Sequence, residues 1–229
     1  MTVRSAAYGA VVTLALVFAA TLGAPASAAV PDGQVVVAQQ AGGQVTKADP
    51  SWTGDKPAAP GPSVGTQALC VTNCALTPSA SRSITPPGGT TGNINAYGST
   101  TADVTRPLPY GVPCQVNYRN SSSTVSWTGS KPFNATSVTQ TDTWDTDSIG
   151  VSITISYPPG GSFSPGKGTQ QWSTTTSDTW RTTHSWNNIQ MRSCAWGRIT
   201  GVNFNESGSF QFGSAYYGVQ ALFGAGVVA

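Results

Sequence analysis

The stretch Ser148-Ile149-Gly150-Val151-Ser152-Ile153-Thr154-Ile155-Ser156-Tyr157 alternates apolar and small polar residues without a break. Successive side chains of a β-strand point to opposite faces, so Ile149, Val151, Ile153, Ile155 and Tyr157 share one face and the Ser, Gly and Thr residues between them share the other. Pro158-Pro159-Gly160-Gly161 follows as a turn. Outward from this element the same texture recurs. Gln67 to Val71, Ser81 to Thr85, Gln115 to Tyr118, Thr124 to Thr128, Thr136 to Trp144, Thr169 to Thr176, Thr179 to Trp186, Arg198 to Phe204 and Ser209 to Phe212 read as short strands divided by Gly, Pro, Asn or Ser clusters. The expected fold is all-β, an elongated β-sandwich or a long-hairpin β protein.

Composition agrees with strands and loops. The chain holds 56 Ser and Thr, 26 Gly and 16 Pro among 229 residues. Thr is β-branched, Ser competes with the helix backbone, and Gly and Pro break helices. Charged residues make up 9%, against about 25% in an ordinary soluble domain, so hydroxyls and amides must wet the surface. The net charge of +2 comes from 11 basic and 9 acidic residues spread along the chain, and no basic stripe offers a footprint for nucleic acid. A single His and a single Glu deprive many enzyme mechanisms of their acid, base or ligand. The expectation is a non-enzymatic protein without cofactor or metal.

Residues 1–28 have the form of a secretory signal peptide: Arg4, an apolar run from Ala6 to Leu22, and Ala26-Ser27-Ala28 as a small-residue cleavage site. Residues 29–66, rich in Gly, Pro, Ala and Gln, read as a propeptide or disordered, flexible leader, and 67–229 as the β-rich secreted domain. Cys70, Cys74, Cys114 and Cys194 are even in number in an exported chain, where disulfides persist. The pairing Cys70 to Cys74 with Cys114 to Cys194 is preferred, because Thr72-Asn73 can turn a short loop. A zinc site built on the CxxxC pair with Cys114, Cys194 or His184 is the competing reading.

Inside the leader, Ser51-Trp52-Thr53-Gly54-Asp55-Lys56-Pro57 recurs as Ser126-Trp127-Thr128-Gly129-Ser130-Lys131-Pro132, with six of seven positions identical. Chance in a Ser/Thr/Gly-rich chain is one explanation. The other is that the leader imitates the later segment and lies beside a sheet edge, as edge strands accept an added strand.

A second echo flanks the alternating stretch, Thr141-Asp142-Thr143-Trp144 before it and Ser177-Asp178-Thr179-Trp180 after it. The symmetry suggests a long hairpin, Thr136 to Tyr157 going out and Ser162 to Trp186 returning. Two Ser/Thr-rich strands bracketing one amphipathic stretch, over residues 120–186, resemble the membrane-active module of aerolysin-like and epsilon-toxin-like β-pore-forming proteins. That resemblance implies membrane lipid as partner and a homo-oligomer. Ten residues at about 3.3 Å each span roughly 33 Å, enough to cross a bilayer as one barrel strand. On the return side only Phe163 continues the apolar face, followed at the same parity by Pro165 and Lys167. The other reading places Ile149 to Tyr157 over a sandwich core.

Seven Trp are present. Trp127, Trp144, Trp180 and Trp186, if exposed, would stack on surface carbohydrate, and if buried would build the core of a chain poor in Leu and Ile. His184 reads as a packed or hydrogen-bonded side chain, and the acidic group Asp142, Asp145, Asp147 and Asp178 as local caps ahead of calcium ligands or catalytic carboxylates. Three binding classes follow: a β-pore-forming-like membrane protein, a carbohydrate- or cell-wall-binding module, and a secreted inhibitor presenting the Cys70 to Cys74 loop to a protease.

Overall fold

In a computed structural model, residues 30, 33–40, 43–52, 54–58, 69–148, 162–164, 168–194 and 197–228 are described. They contain strands and turns and no helix, arranged as two sheets with two disulfides. The first sheet holds β1 (Gln34–Gln40), β2 (Gly43–Ala48), β4 (Asn73–Leu76), β5 (Ser79–Ile84), β6 (Gly92–Thr105), β7 (Gln115–Trp127), β11 (Arg181–Trp186) and β12 (Ile189–Arg192). Its path runs β1-β2-β11-β7-β6-β4, with β12 also on β7 and β5 also on β6. The second holds β3 (Leu69–Cys70), β8 (Ala135–Ser148), β9 (Ser162–Ser164), β10 (Thr169–Thr179), β13 (Ile199–Phe212) and β14 (Ala215–Val227), in the order β3-β14-β13-β8-β10-β9.

The all-β sandwich expected from the alternation is present, but its strands are longer than the apolar pattern implied. Gln115 to Tyr118 and Thr124 to Trp127 belong to the single strand β7, and Ile199 to Phe204 and Ser209 to Phe212 to the single strand β13, with Thr128 and Arg198 just outside them. On β7 the cause is Asn120, at φ +52°. Its pairing sum with β6 shifts between Ser99 and Thr101, the signature of a bulge that moves the inward set from Val116 and Tyr118 to Ser121, Ser123, Val125 and Trp127. β6 and β14 carry few bulky residues in alternation; β6 lies between β7 and the pair β4 and β5, whereas β14 is bordered beyond β13 only by the two residues of β3.

The core divides into two clusters. One gathers Tyr118, Trp144, Trp172, Trp186, Ile199 and Phe204 with their neighbours; the other gathers Ile94, Val125, Trp127, Val138, Trp180 and Phe210. Each draws from both sheets, as burial of two apolar faces requires. Cys114 and Cys194 are bridged across 80 residues, and Cys70 and Cys74 across four.

The leader is not featureless. β1 and β2 form a hairpin whose inner strand pairs with β11, from Gly43↔Trp186 to Lys47↔Thr182. The signal-peptide segment 1–28 lies outside the described residues, as do Ile149, Val151, Ile153, Ile155 and Tyr157.

Candidate functional site

β8 and β10 pair antiparallel from Ala135↔Thr179 to Asp145↔Thr169, so the expected out-and-back hairpin exists over this length. The expected return from Ser162 to Trp186 holds only over Thr169–Thr179: β9 lies on the far side of β10 and antiparallel to it, pairing Ser162 to Ser164 with Gln171 to Thr169, and Arg181–Trp186 crosses to the first sheet as β11. On the outer face of this pair stand Ser137, Thr139, Thr141 and Thr143 opposite Ser177, Thr175, Ser173 and Gln171. Hydroxyls meet directly, Thr139 with Thr175 and Thr141 with Ser173, each at 2.8 Å. β13 extends the face with Ser209, Ser207 and Asn205 in register with Thr139, Thr141 and Thr143. Inward positions on β8 are even-numbered: Val138, Gln140, Asp142, Trp144 and Thr146 are all buried.

The four Trp proposed to stack on carbohydrate do not reach solvent. Trp127 and Trp144 are fully buried and Trp180 and Trp186 nearly so. Their strand parity points them between the sheets, where Trp144 meets Trp186 edge-on at 4.7 Å and stacks on Phe204 at 5.6 Å. They are the core of a chain short of Leu and Ile.

Between the two apolar clusters runs a buried polar belt that the sequence pattern did not reveal. Along β8 it falls at Gln140 and Asp142, between Val138 and Trp144; along β13 it falls at Glu206, between Phe204 and Phe210. The sheets come close beside it. A Cβ added at Gly98 would lie 2.8 Å from the Phe204 ring, and one at Gly208 would lie 2.9 Å from Val125. His184, fully buried, donates through Nδ1 to Asp142, and its Nε2 is hydrogen-bonded to the Thr174 hydroxyl at 2.5 Å. Asp142 also accepts from Ser123, whose oxygen accepts from Gln140 at 2.8 Å. Trp172 stacks over the imidazole at 4.6 Å. The belt joins β7 and β11 of one sheet to β8 and β10 of the other. Glu206 lies in it beside Asp142, Ser123 and Gln140; burial first, then the Asp142 charge, pushes its carboxyl well above the usual carboxylate range.

Strand parity also disperses the acidic group. Asp142 faces inward to His184, in place of the expected cap, because it occupies an even position in the middle of β8. Asp145 faces outward and accepts from Thr169, and Asp178, at φ +48°, accepts from Asn134. No group of three or more His, Cys, Asp or Glu suited to a metal occurs among the described residues. A signal for the belt was available: Glu206, the chain's one glutamate, shares parity with Val202, Phe204, Phe210 and Phe212.

The outer face carries a shallow depression of about 460 Å³ lined by Thr139, Thr141, Ser207, Ser209, Gly218 and Gln220 among others. Tyr216 and Leu222 are exposed on the same side of β14. No helix among the described residues is long and apolar enough to cross a membrane. Compared with family models, curated proteins and solved structures, the chain matches none.

Proposed function

We propose that this chain is a secreted, membrane-active binding protein of β-pore-forming type, in which the stretch 148–157 enters lipid as part of a β-barrel while β8 and β10 form its water-facing continuation. One observation carries the reading. Along β8 from residue 137 to 147 the odd-numbered side chains face out and the even-numbered face the core. A continuation of this strand in register past residue 148 would give Ile149, Val151, Ile153 and Ile155 the outward parity and Ser152 and Thr154 the inward one, the reverse of the polarity along residues 137–147. A sandwich strand needs its apolar side chains inward, whereas a barrel strand in lipid needs them outward and its polar ones toward the lumen. Over residues 137–143 and 171–177 the outer faces of β8 and β10 are uncharged and tied by matched hydroxyl pairs, which suits strands that can lengthen without exposing bare apolar surface.

A second reading rests on the depression beside Tyr216. Hydroxyls, an amide and a Gly floor, with an exposed aromatic nearby, suit neutral surface carbohydrate. It replaces the buried Trp as the carbohydrate-binding surface.

Dye release from liposomes of varied composition, run beside a pull-down on insoluble polysaccharides, separates the two. Leakage without polysaccharide retention is expected. Retention without leakage across all lipids would give the depression first place.

A further inference from the structure

The repeated heptad is seated on its own echo. Lys56, the lysine of Ser51-Trp52-Thr53-Gly54-Asp55-Lys56-Pro57, donates to the carbonyl of Gly129 at 2.7 Å and to that of Phe133 at 2.5 Å. Gly129 belongs to the second copy of the same heptad. The ammonium lies 4.2 Å from the Phe133 ring centre, 5.6 Å from Trp180 and 5.9 Å from Trp127. Two carbonyls and three ring faces make a cage for a primary ammonium. Burial draws Lys56 down to about 8, so it stays largely charged at neutral pH.

The two heptads also share local shape. In each, the Trp ring covers the Gly two residues later: a Cβ at Gly54 would lie 2.8 Å from the Trp52 ring, and one at Gly129 would overlap that of Trp127. The repeat is therefore structural as well as sequential.

Residues 34–57 act as one arm. β2 fills the edge of β11, Val45 enters one core cluster and Ala48 the other, and Trp52 packs against the second. Without the arm, β11 would present an open edge beside two incompletely covered clusters and an empty cage. Both disulfides begin only at Cys70, so no described covalent bond apart from the backbone ties the arm down. The ten residues 59–68 include Pro60, Gly61, Pro62 and Gly65 and could reach about 33 Å when extended.

We infer that the β11 edge and the Lys56 cage form a receptor site for a strand ending in Trp-Thr-Gly-x-Lys-Pro, and that its occupant in trans is the arm of a second copy of this chain. Exchange of the arm preserves every contact described above, because both copies donate the same segment to the same site. Only the path of 59–68 changes, which makes such swaps inexpensive in free energy. Oligomers would then be linked by strand addition and locked by the lysine.

The test uses the full chain with a protease site inserted within 59–68, nicked after folding so that the cut arm stays in place. Excess biotinylated peptide of residues 34–57 is added, and exchange is followed by capture. Uptake of peptide is expected, with the Lys56→Met peptide captured at least tenfold less well. No uptake under any condition short of global unfolding would overturn the receptor site, and equal uptake of both peptides would overturn the cage. Two intact copies carrying different tags, mixed at high concentration and gently warmed, should yield species bearing both tags. Persistence of separate monomers would overturn the second copy as occupant. None of these readouts involves membranes, so the inference stands or falls apart from the pore reading.

Discussion

His184 on β11 donates through Nδ1 to Asp142 on β8, a side-chain pair that ties one sheet to the other at the level where the apolar core is interrupted. Above and below it, Trp and Phe rings fill the space between the sheets. A sandwich with a polar belt across its middle gains less from burial than one with a continuous core, since buried polar groups must be matched one by one. Asp142 is matched by Ser123 and His184, and Glu206 sits beside it with its carboxyl pushed up by burial and by the Asp142 charge.

Glu206 should make stability fall as pH rises. Its carboxyl titrates well above the ordinary value of 4.5 when folded, so between the unfolded and folded values the native state holds the extra proton. Stability is then fully present below the unfolded value and declines as pH climbs toward the folded one, by up to about 1.4 kcal/mol per pH unit. Glu206→Gln keeps the shape and removes the titration. Chemical denaturation from pH 4 upward should show the wild type losing ground to the variant once the pH passes the ordinary carboxylate value. Parallel curves would mean Glu206 is not a buried acid.

Breaking the inter-sheet pair from one side should be costly. Asp142→Ala leaves the His184 Nδ1 group without its acceptor in a fully buried site, a defect worth about 1–3 kcal/mol. The double variant with His184→Phe should lose much less than the sum of the singles, giving a coupling energy of about 1–3 kcal/mol in a double-mutant cycle. Additive losses would show that the two side chains act independently.

The belt explains what the sequence concealed. Alternation over Arg198 to Phe204 and again over Ser209 to Phe212 is plain, but Glu206 and Gly208 stand at inward positions between them. A polar or small residue at an inward position looks like a strand end when read along one chain. Only the facing His184, Asp142 and Gly98 reveal that the strand continues. Asn120 hid the length of β7 in another way, by shifting the inward parity through a bulge. What depended on local chemistry was readable, namely the all-β class, the two cysteine pairs, the β8–β10 hairpin and the repeated heptad. Placing the Trp rings required knowing which face each strand buries, and that is a property of the opposing sheet.

The two disulfides should contribute unequally. In the chain-entropy model the loop closed by Cys114 and Cys194, 80 residues apart, is worth on the order of 4 kcal/mol, and a four-residue separation about 2 kcal/mol. Replacing Cys114 and Cys194 by Ser should therefore lower the denaturation midpoint more than replacing Cys70 and Cys74. Peptide mapping of the first variant should still find Cys70 joined to Cys74. The reverse order of stability losses would show that native contacts around Cys70, not loop closure, dominate.

The membrane reading makes its sharpest demand on residues 149–155. If Val151 and Ile153 face lipid after insertion, Val151→Lys or Ile153→Lys should abolish dye release, because a lysine at the bilayer midplane costs about 2–4 kcal/mol on a barrel surface. Loss of leakage is informative only beside a folding measurement. In a sandwich core the same lysine would be an unpaired buried charge and would unfold the protein. The proposed continuation of β8 into lipid predicts the contrary: the variants remain soluble, with a thermal midpoint close to that of the wild type, while leakage disappears. Ser152→Lys on the opposite face supplies the control, since a lumen-facing lysine stays hydrated and should leave leakage in place while shifting the pore toward anions. Variants of Val151 or Ile153 that unfold would return the stretch to the core and remove the ground for the pore.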